Sequence, residues 1–155
     1  MSNGSVVAIY ISPIAGEKMQ KIMQAEALAG QGLKGDRYAV GEGSFNQKSG
    51  IGNRQLTLMN SLFFRRSSFS YEESRRNIFT EDVELMWLIG REFKVGEATV
   101  RGIKYCDPCM RPSKLNRRAA SFAEEFEDCG GLVAEILTGG LVRVGDLVIP
   151  PPKGY

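Results

Sequence analysis

The 155-residue chain contains no histidine. That absence removes every Ser-His or Cys-His nucleophile pair and every histidine-ligated zinc or iron site. A general base would have to be a carboxylate, Lys, Tyr or thiolate, and a soft metal would have to use sulfur. Cysteine is sparse as well, with three residues, Cys106, Cys109 and Cys129. The count is odd, and no basic segment precedes the short apolar run Val6 to Ile11. Both points argue against a secretory leader and a disulfide framework, and for free thiols in a reducing compartment, so the cytoplasm is the expected location. No apolar stretch approaches the length of a membrane span. Charge is nearly balanced at +2, which argues against an electrostatic affinity of the whole molecule for nucleic acid. No interleaving of basic and aromatic residues marks a stacking platform for bases.

What is present is an ordinary globular composition, 43% hydrophobic and 25% charged. The length fits one domain, 1–155, with its core over about 6–149. Val6 to Ser12 is apolar and β-branched and reads as a first strand ended by Pro13. Gln24 to Leu28 reads as another. Frequent glycines between Gly30 and Gly52 mark loops. Arg54 to Met59 alternates polar and apolar, the period of a half-buried strand. Asn60 or Ser61 is expected to cap a short helix through Phe69, and Thr80 a second one ending before Gly90. Arg91 to Gly96 and Ala98 to Ile103 read as two strands around a Gly-Glu turn. Ala119 to Phe126 reads as a helix stopped by Gly130-Gly131. Leu132 to Leu137 and Leu141 to Ile149 supply the last strands. Many short strands with glycine turns and a few small helices predict a mainly β, barrel-like fold.

Three segments carry chemistry. In Cys106-Asp107-Pro108-Cys109, a zinc site would need about four ligands, and only Cys129 is left to help. A thioredoxin-like pair would need a βαβ context, and the surroundings are β-rich. A reactive thiolate on a loop, favoured by Lys104 and Arg111, stands beside a simple pair of half-buried thiols. Arg75-Arg76-Asn77 offers forked donors for anionic oxygens and an amide that donates and accepts. Leu33-Lys34-Gly35-Asp36-Arg37-Tyr38-Ala39 places cations around a glycine, with Asp36 available to orient Arg37. Arg54 opens a strand and points either into a pocket or to solvent. The pairs Arg65-Arg66 and Arg117-Arg118 read as solvated faces.

Taken in order, these segments resemble the MOSC family, the domain at the C-terminus of molybdenum cofactor sulfurases. The carriers are Gly32 to Ala39, Arg54-Gln55-Leu56-Thr57-Leu58, Arg75-Arg76-Asn77-Ile78, Leu88 to Gly96, Cys106 to Cys109, Gly130 to Leu137 and Val144 to Val148. The resemblance covers about residues 6 to 149 and is closest to small stand-alone members. It implies a β-barrel and a site for a molybdopterin-type cofactor, or a role in carrying sulfur. It maps the family cysteine onto Cys109, as molybdenum ligand or persulfide carrier, with Cys106 a resolving thiol or a neighbour. It sets Arg75, Arg76 and Asn77 near the pterin and its phosphate, with Lys34, Arg37 and Arg54 in matching segments. A thiolate suits molybdenum, and cations suit an anionic pterin phosphate. No pyridoxal-phosphate segment precedes the matching region, so a separate sulfur donor is expected. A molybdenum-dependent reductase of N-hydroxylated compounds, served by an electron-donor protein, stands beside the carrier role. The alternative to both is a non-enzymatic module for a phosphate-like anion, with structural cysteines.

Overall fold

The first strand is apolar at adjacent positions, which a strand buried on one face only would not be. In the computed structural model, which describes residues 3–40 and 54–152, β1 (Gly4–Ile11) is covered on both faces. A bulge between Val6 and Ala8 shifts its alternation against β6 (Ile78–Glu81). Val6, Ile9 and Ile11 therefore share one core, and Ala8 and Tyr10 another; such a bulge also adds local twist.

The remaining strands are β2 (Gln20–Ile22), β3 (Gln24–Leu28), β4 (Gly32–Leu33), β5 (Leu56–Asn60), β7 (Glu92–Val95), β8 (Ala98–Tyr105), β9 (Leu132–Thr138), β10 (Gly140–Arg143) and β11 (Leu147–Ile149). Pairing runs β11-β7-β8-β9-β5-β6-β1, and β1 pairs back to β11 through Gly4↔Val148 and Ser5↔Leu147. The result is a closed seven-stranded barrel. β2 adds to β1 outside the ring, and β10, β3 and β4 form a separate small sheet. The larger core, with Leu56, Leu58, Ile78, Val100, Leu132 and Ile136, fills the barrel. Among the described residues, no helix is long and apolar enough to cross a membrane.

β5 and β6 pair in parallel, Leu58↔Ile78 and Met59↔Phe79. Parallel neighbours need a long crossover, and residues 61–77 supply it. That crossover carries a 3-10 turn (Ser61–Phe64) and α1 (Tyr71–Ser74) across the outside of the wall. With α3 (Phe122–Glu125) it covers the outward residues Ala8, Tyr10, Met59 and Phe79 with Phe69, Phe122 and Phe126. Tyr71 stacks on Phe79 at 4.4 Å, and Phe69 meets Phe122 edge-on at 5.2 Å. β5 is thus buried on both faces. Its polar-apolar alternation separates two cores, and Thr57 is only 2% exposed.

Other expectations shift for local reasons. The helix after Asn60 stops at Phe64 instead of reaching Phe69. Thr80 is no helix cap. It lies in β6 and donates to Asn60 Oδ1 at 2.9 Å, and the following turn is a 3-10 segment, Leu85–Leu88. The helix expected from Ala119 begins only at Phe122, where Ser121 accepts from the Glu124 N–H. α1 itself is signalled by the capping box Ser70-Tyr71-Glu72-Glu73. Arg118 is not a solvated cation: its Nη1 donates to both Glu73 carboxylate oxygens at 2.8 and 2.9 Å, and its guanidinium lies over Phe69.

Candidate functional site: an arginine cleft with one thiol

α1 ends with Arg75 in the left-handed region, φ 64°, so the chain reverses sharply before β6. Asn77 anchors the start of that strand and is 0% exposed. Its Oδ1 accepts from the Thr57 N–H and Oγ1, and its Nδ2 donates to Tyr10 O at 3.1 Å. Its own N–H donates to Thr57 Oγ1 at 3.0 Å. One amide therefore stitches β1, β5 and β6 together at the point where the arginine pair leaves the barrel.

The second wall comes from the turn after β4. Gly35 takes φ 89°, which a side-chain-bearing residue rarely adopts. Asp36 then accepts from the Ser12 N–H at 2.9 Å and holds Arg37 at 3.0 Å, with both side chains buried. Arg37 lies over Tyr38, 4.5 Å from the ring centre, and donates to Arg75 O at 3.5 Å. The third wall is the loop from β8 into α2 (Arg111–Leu115), which has a proline in its first turn. Gly130 supports that loop. A Cβ there would come within 2.1 Å of Cys106 O and 2.9 Å of Pro108 N. The Gly130 carbonyl also accepts from Arg76 Nε at 2.9 Å, so one residue braces both the cysteine turn and an arginine.

These walls enclose a cleft lined by Arg37, Tyr38, Arg54, Arg75, Arg76, Cys109, Arg111 and Pro112. Five guanidinium groups converge there and, among the described residues, no carboxylate lines it. Arg75 donates to Glu17 O at 2.7 Å, and Arg76 to Ser74 O at 3.3 Å. One terminal nitrogen of each, Nη2 of Arg75 and of Arg76, is buried without a partner among the described residues. Buried unpaired donors are costly. Burial first, and then repulsion from Arg37 and Arg111, push the Arg75 pKa down to about 10. An incoming anion would relieve both strains. The volume is only about 20 Å³, roughly room for one water-sized group.

Of the residues singled out from sequence, Arg37, Arg54, Arg75, Arg76 and Cys109 meet in the cleft. Asn77 stands behind it with its amide occupied. Lys34 lies outside, its side chain 71% exposed and 3.9 Å from Glu26. Tyr38, Arg111 and Pro112 complete the lining. The sequence marks Arg111 only as a neighbour of the thiol; the fold makes it part of the wall. Among the cysteines, all free, Cys106 is buried, Cys109 is half-buried in the cleft, and Cys129 lines a separate cavity.

Comparison with curated proteins gives no match. Among solved structures, the YuaD protein from Bacillus subtilis superposes with a TM-score of 0.72 at 16% identity, covering 95% of this chain and 94% of that one. YiiM from Escherichia coli gives 0.68 at 16% identity over 99% of this chain and 71% of its own. YiiM from Geobacillus stearothermophilus gives 0.68 at 11% identity over 98% and 77%. At such identities the likeness establishes the fold. The family model of the MOSC domain matches residues 40–149, and so the chain belongs to the MOSC domain family, which is associated with molybdenum cofactor binding.

Proposed function

We propose that this protein binds a molybdenum cofactor in the arginine cleft, with Cys109 as sulfur ligand to the metal. The observation that carries this reading is the pair of buried, unpartnered guanidinium nitrogens beside the one thiol of the cleft. The donor set fits the group. A pterin phosphate is anionic and would satisfy Arg75 and Arg76 with charge-assisted bonds. Arg37, Arg54 and Arg111 add charge around it. Among the described residues, no group of three His, Cys, Asp or Glu is placed to hold a metal. A metal at Cys109 must therefore bring most of its ligands with it, as a dithiolene cofactor does. Because the cleft is tight, the long arginine side chains would swing outward around the ligand. When bound, the group supplies two-electron redox chemistry, which a reductase of N-hydroxylated compounds requires.

The partial exposure of Cys109 supports a second reading, sulfur carriage. A donor persulfide would pass its outer sulfur to the Cys109 thiolate and leave as a thiolate. Metal and pterin analysis of protein isolated without oxygen, from a host that makes the cofactor, separates the readings. We expect near-stoichiometric molybdenum and pterin in the wild type. Cys109→Ala should lose the metal, and Arg75→Met/Arg76→Met both components. Pterin-free protein with a persulfide on Cys109 would instead establish the carrier. Phosphate-competed anion binding that survives Cys106→Ser/Cys109→Ser, without pterin or persulfide, would leave an anion-binding module and overturn both.

A further inference from the structure

We propose a second ligand site, for a small aromatic amine in its cationic form, in the cavity between the Leu85–Leu88 turn and the segment 128–131. The cavity is about 220 Å³ and shares no lining residue with the arginine cleft. An apolar cavity of about 150 Å³ holds benzene, so this one admits a single ring with a short chain.

Its walls suit that shape. Phe63, Leu85, Met86 and Trp87 line it. Phe63 and Met86 remain 40% and 39% exposed, so covering them with a ring removes apolar surface from water. Aromatic and thioether groups also favour ring contacts specifically. Trp87 packs against Arg91. Arg91 donates to its carbonyl and lies over its ring at 4.3 Å, a contact that restrains the indole at the wall.

The charge is the reverse of the first site. Glu84 and Asp128 line the cavity and, among the described residues, no Lys or Arg does. A cation gains from both carboxylates, whereas a carboxylate-bearing ligand is repelled. Cys129 registers the same field: burial, and then the negative charge of Asp128, push its thiol pKa up. The thiol therefore stays protonated and serves as an apolar wall.

Trp87 is the sole tryptophan, so its emission reports on this cavity directly. The probes are phenethylamine and hydrocinnamate, which share a ring and chain of similar length and differ in charge. We expect phenethylamine to change Trp87 emission saturably at millimolar concentration. It should slow alkylation of Cys129 by iodoacetamide about fivefold at saturation, and leave Cys109 unaffected, as followed residue by residue by mass spectrometry. Hydrocinnamate should do neither over the same range. Glu84→Gln/Asp128→Asn should weaken amine binding by about tenfold and remove the discrimination. No saturable response, or an equal response to both probes in the wild-type protein, would overturn the proposal.

Discussion

Arg75 and Asn77 stand two positions apart and contribute to stability in opposite ways. Asn77 is buried with its donors and acceptors answered by Thr57 and Tyr10. Asn77→Ala leaves the Thr57 N–H and the Tyr10 carbonyl without those partners, and should cost about 3 kcal/mol in urea unfolding. Arg75 holds a buried charge with one nitrogen unanswered. Arg75→Met gives up the bond to Glu17 O but also removes that charge, so unliganded stability should stay within about 1 kcal/mol of wild type. The difference should appear with phosphate present. An anion that binds only the folded state raises its melting temperature by mass action, and Arg75→Met should abolish most of that rise. If the two variants lose equal stability without phosphate, the assignment of Asn77 as brace and Arg75 as binder is wrong. The triplet's chemistry was legible in sequence, because Arg and Asn side chains carry it wherever they sit. Its division of labour was not: which of three adjacent polar residues turns inward depends on β1 and β5, which are distant in the chain.

At the scale of elements, α1 and α3 are each tied to the segment that precedes the other, through Glu73–Arg118 and Glu125–Ser68. Burial pushes the Glu73 carboxyl up, but hydrogen bonds from Ser70 and Arg118 outweigh it and hold the pKa below its usual 4.5. Bonds from Ser68 do the same for Glu125, chiefly through the Ser68 hydroxyl and N–H. Both folded-state values lie below the unfolded ones. Their contribution is therefore complete above the unfolded carboxylate range and is lost as pH falls through the lowered folded values. Glu125 is exposed and its effect is screened, whereas the half-buried Glu73, its side chain 20% exposed, carries more of it. Denaturant unfolding followed from about pH 6 to pH 3 should show stability falling with acid. Glu73→Gln/Glu125→Gln should flatten that slope, and an unchanged slope would show that other carboxylates control it. The sequence reading missed α1, although Ser70 and Glu73 form a local capping box, because four residues are too few to show a helical period. The ties from Arg118 and Ser68 were not legible either, since they span 45 and 57 positions.

For the whole molecule, closure is the decisive step. β11 is three residues long, yet it pairs with β1 on one side and β7 on the other. Removing it opens the barrel and exposes two strand edges. A chain ending at Arg143 should lose cooperative unfolding and aggregate, and a cooperative transition in that truncation would show that closure is dispensable. Several features were determined by the sequence alone: the mainly β class, the position of most strands, the histidine-free chemistry and the residue types of the cleft. They rest on local signals, such as β-branched runs, glycine turns and side-chain chemistry, that need no distant partner. Only the tertiary structure decided that β5 lies between two cores, that Lys34 stays outside the cleft, and that Arg111 joins it. The first depends on the parallel crossover that lays an aromatic cluster over the outer wall, and the second on the small sheet, where Lys34 faces Glu26. The third rests on the brace at Gly130, which joins Arg76 to the cysteine turn across 54 positions, and no local pattern records such a contact.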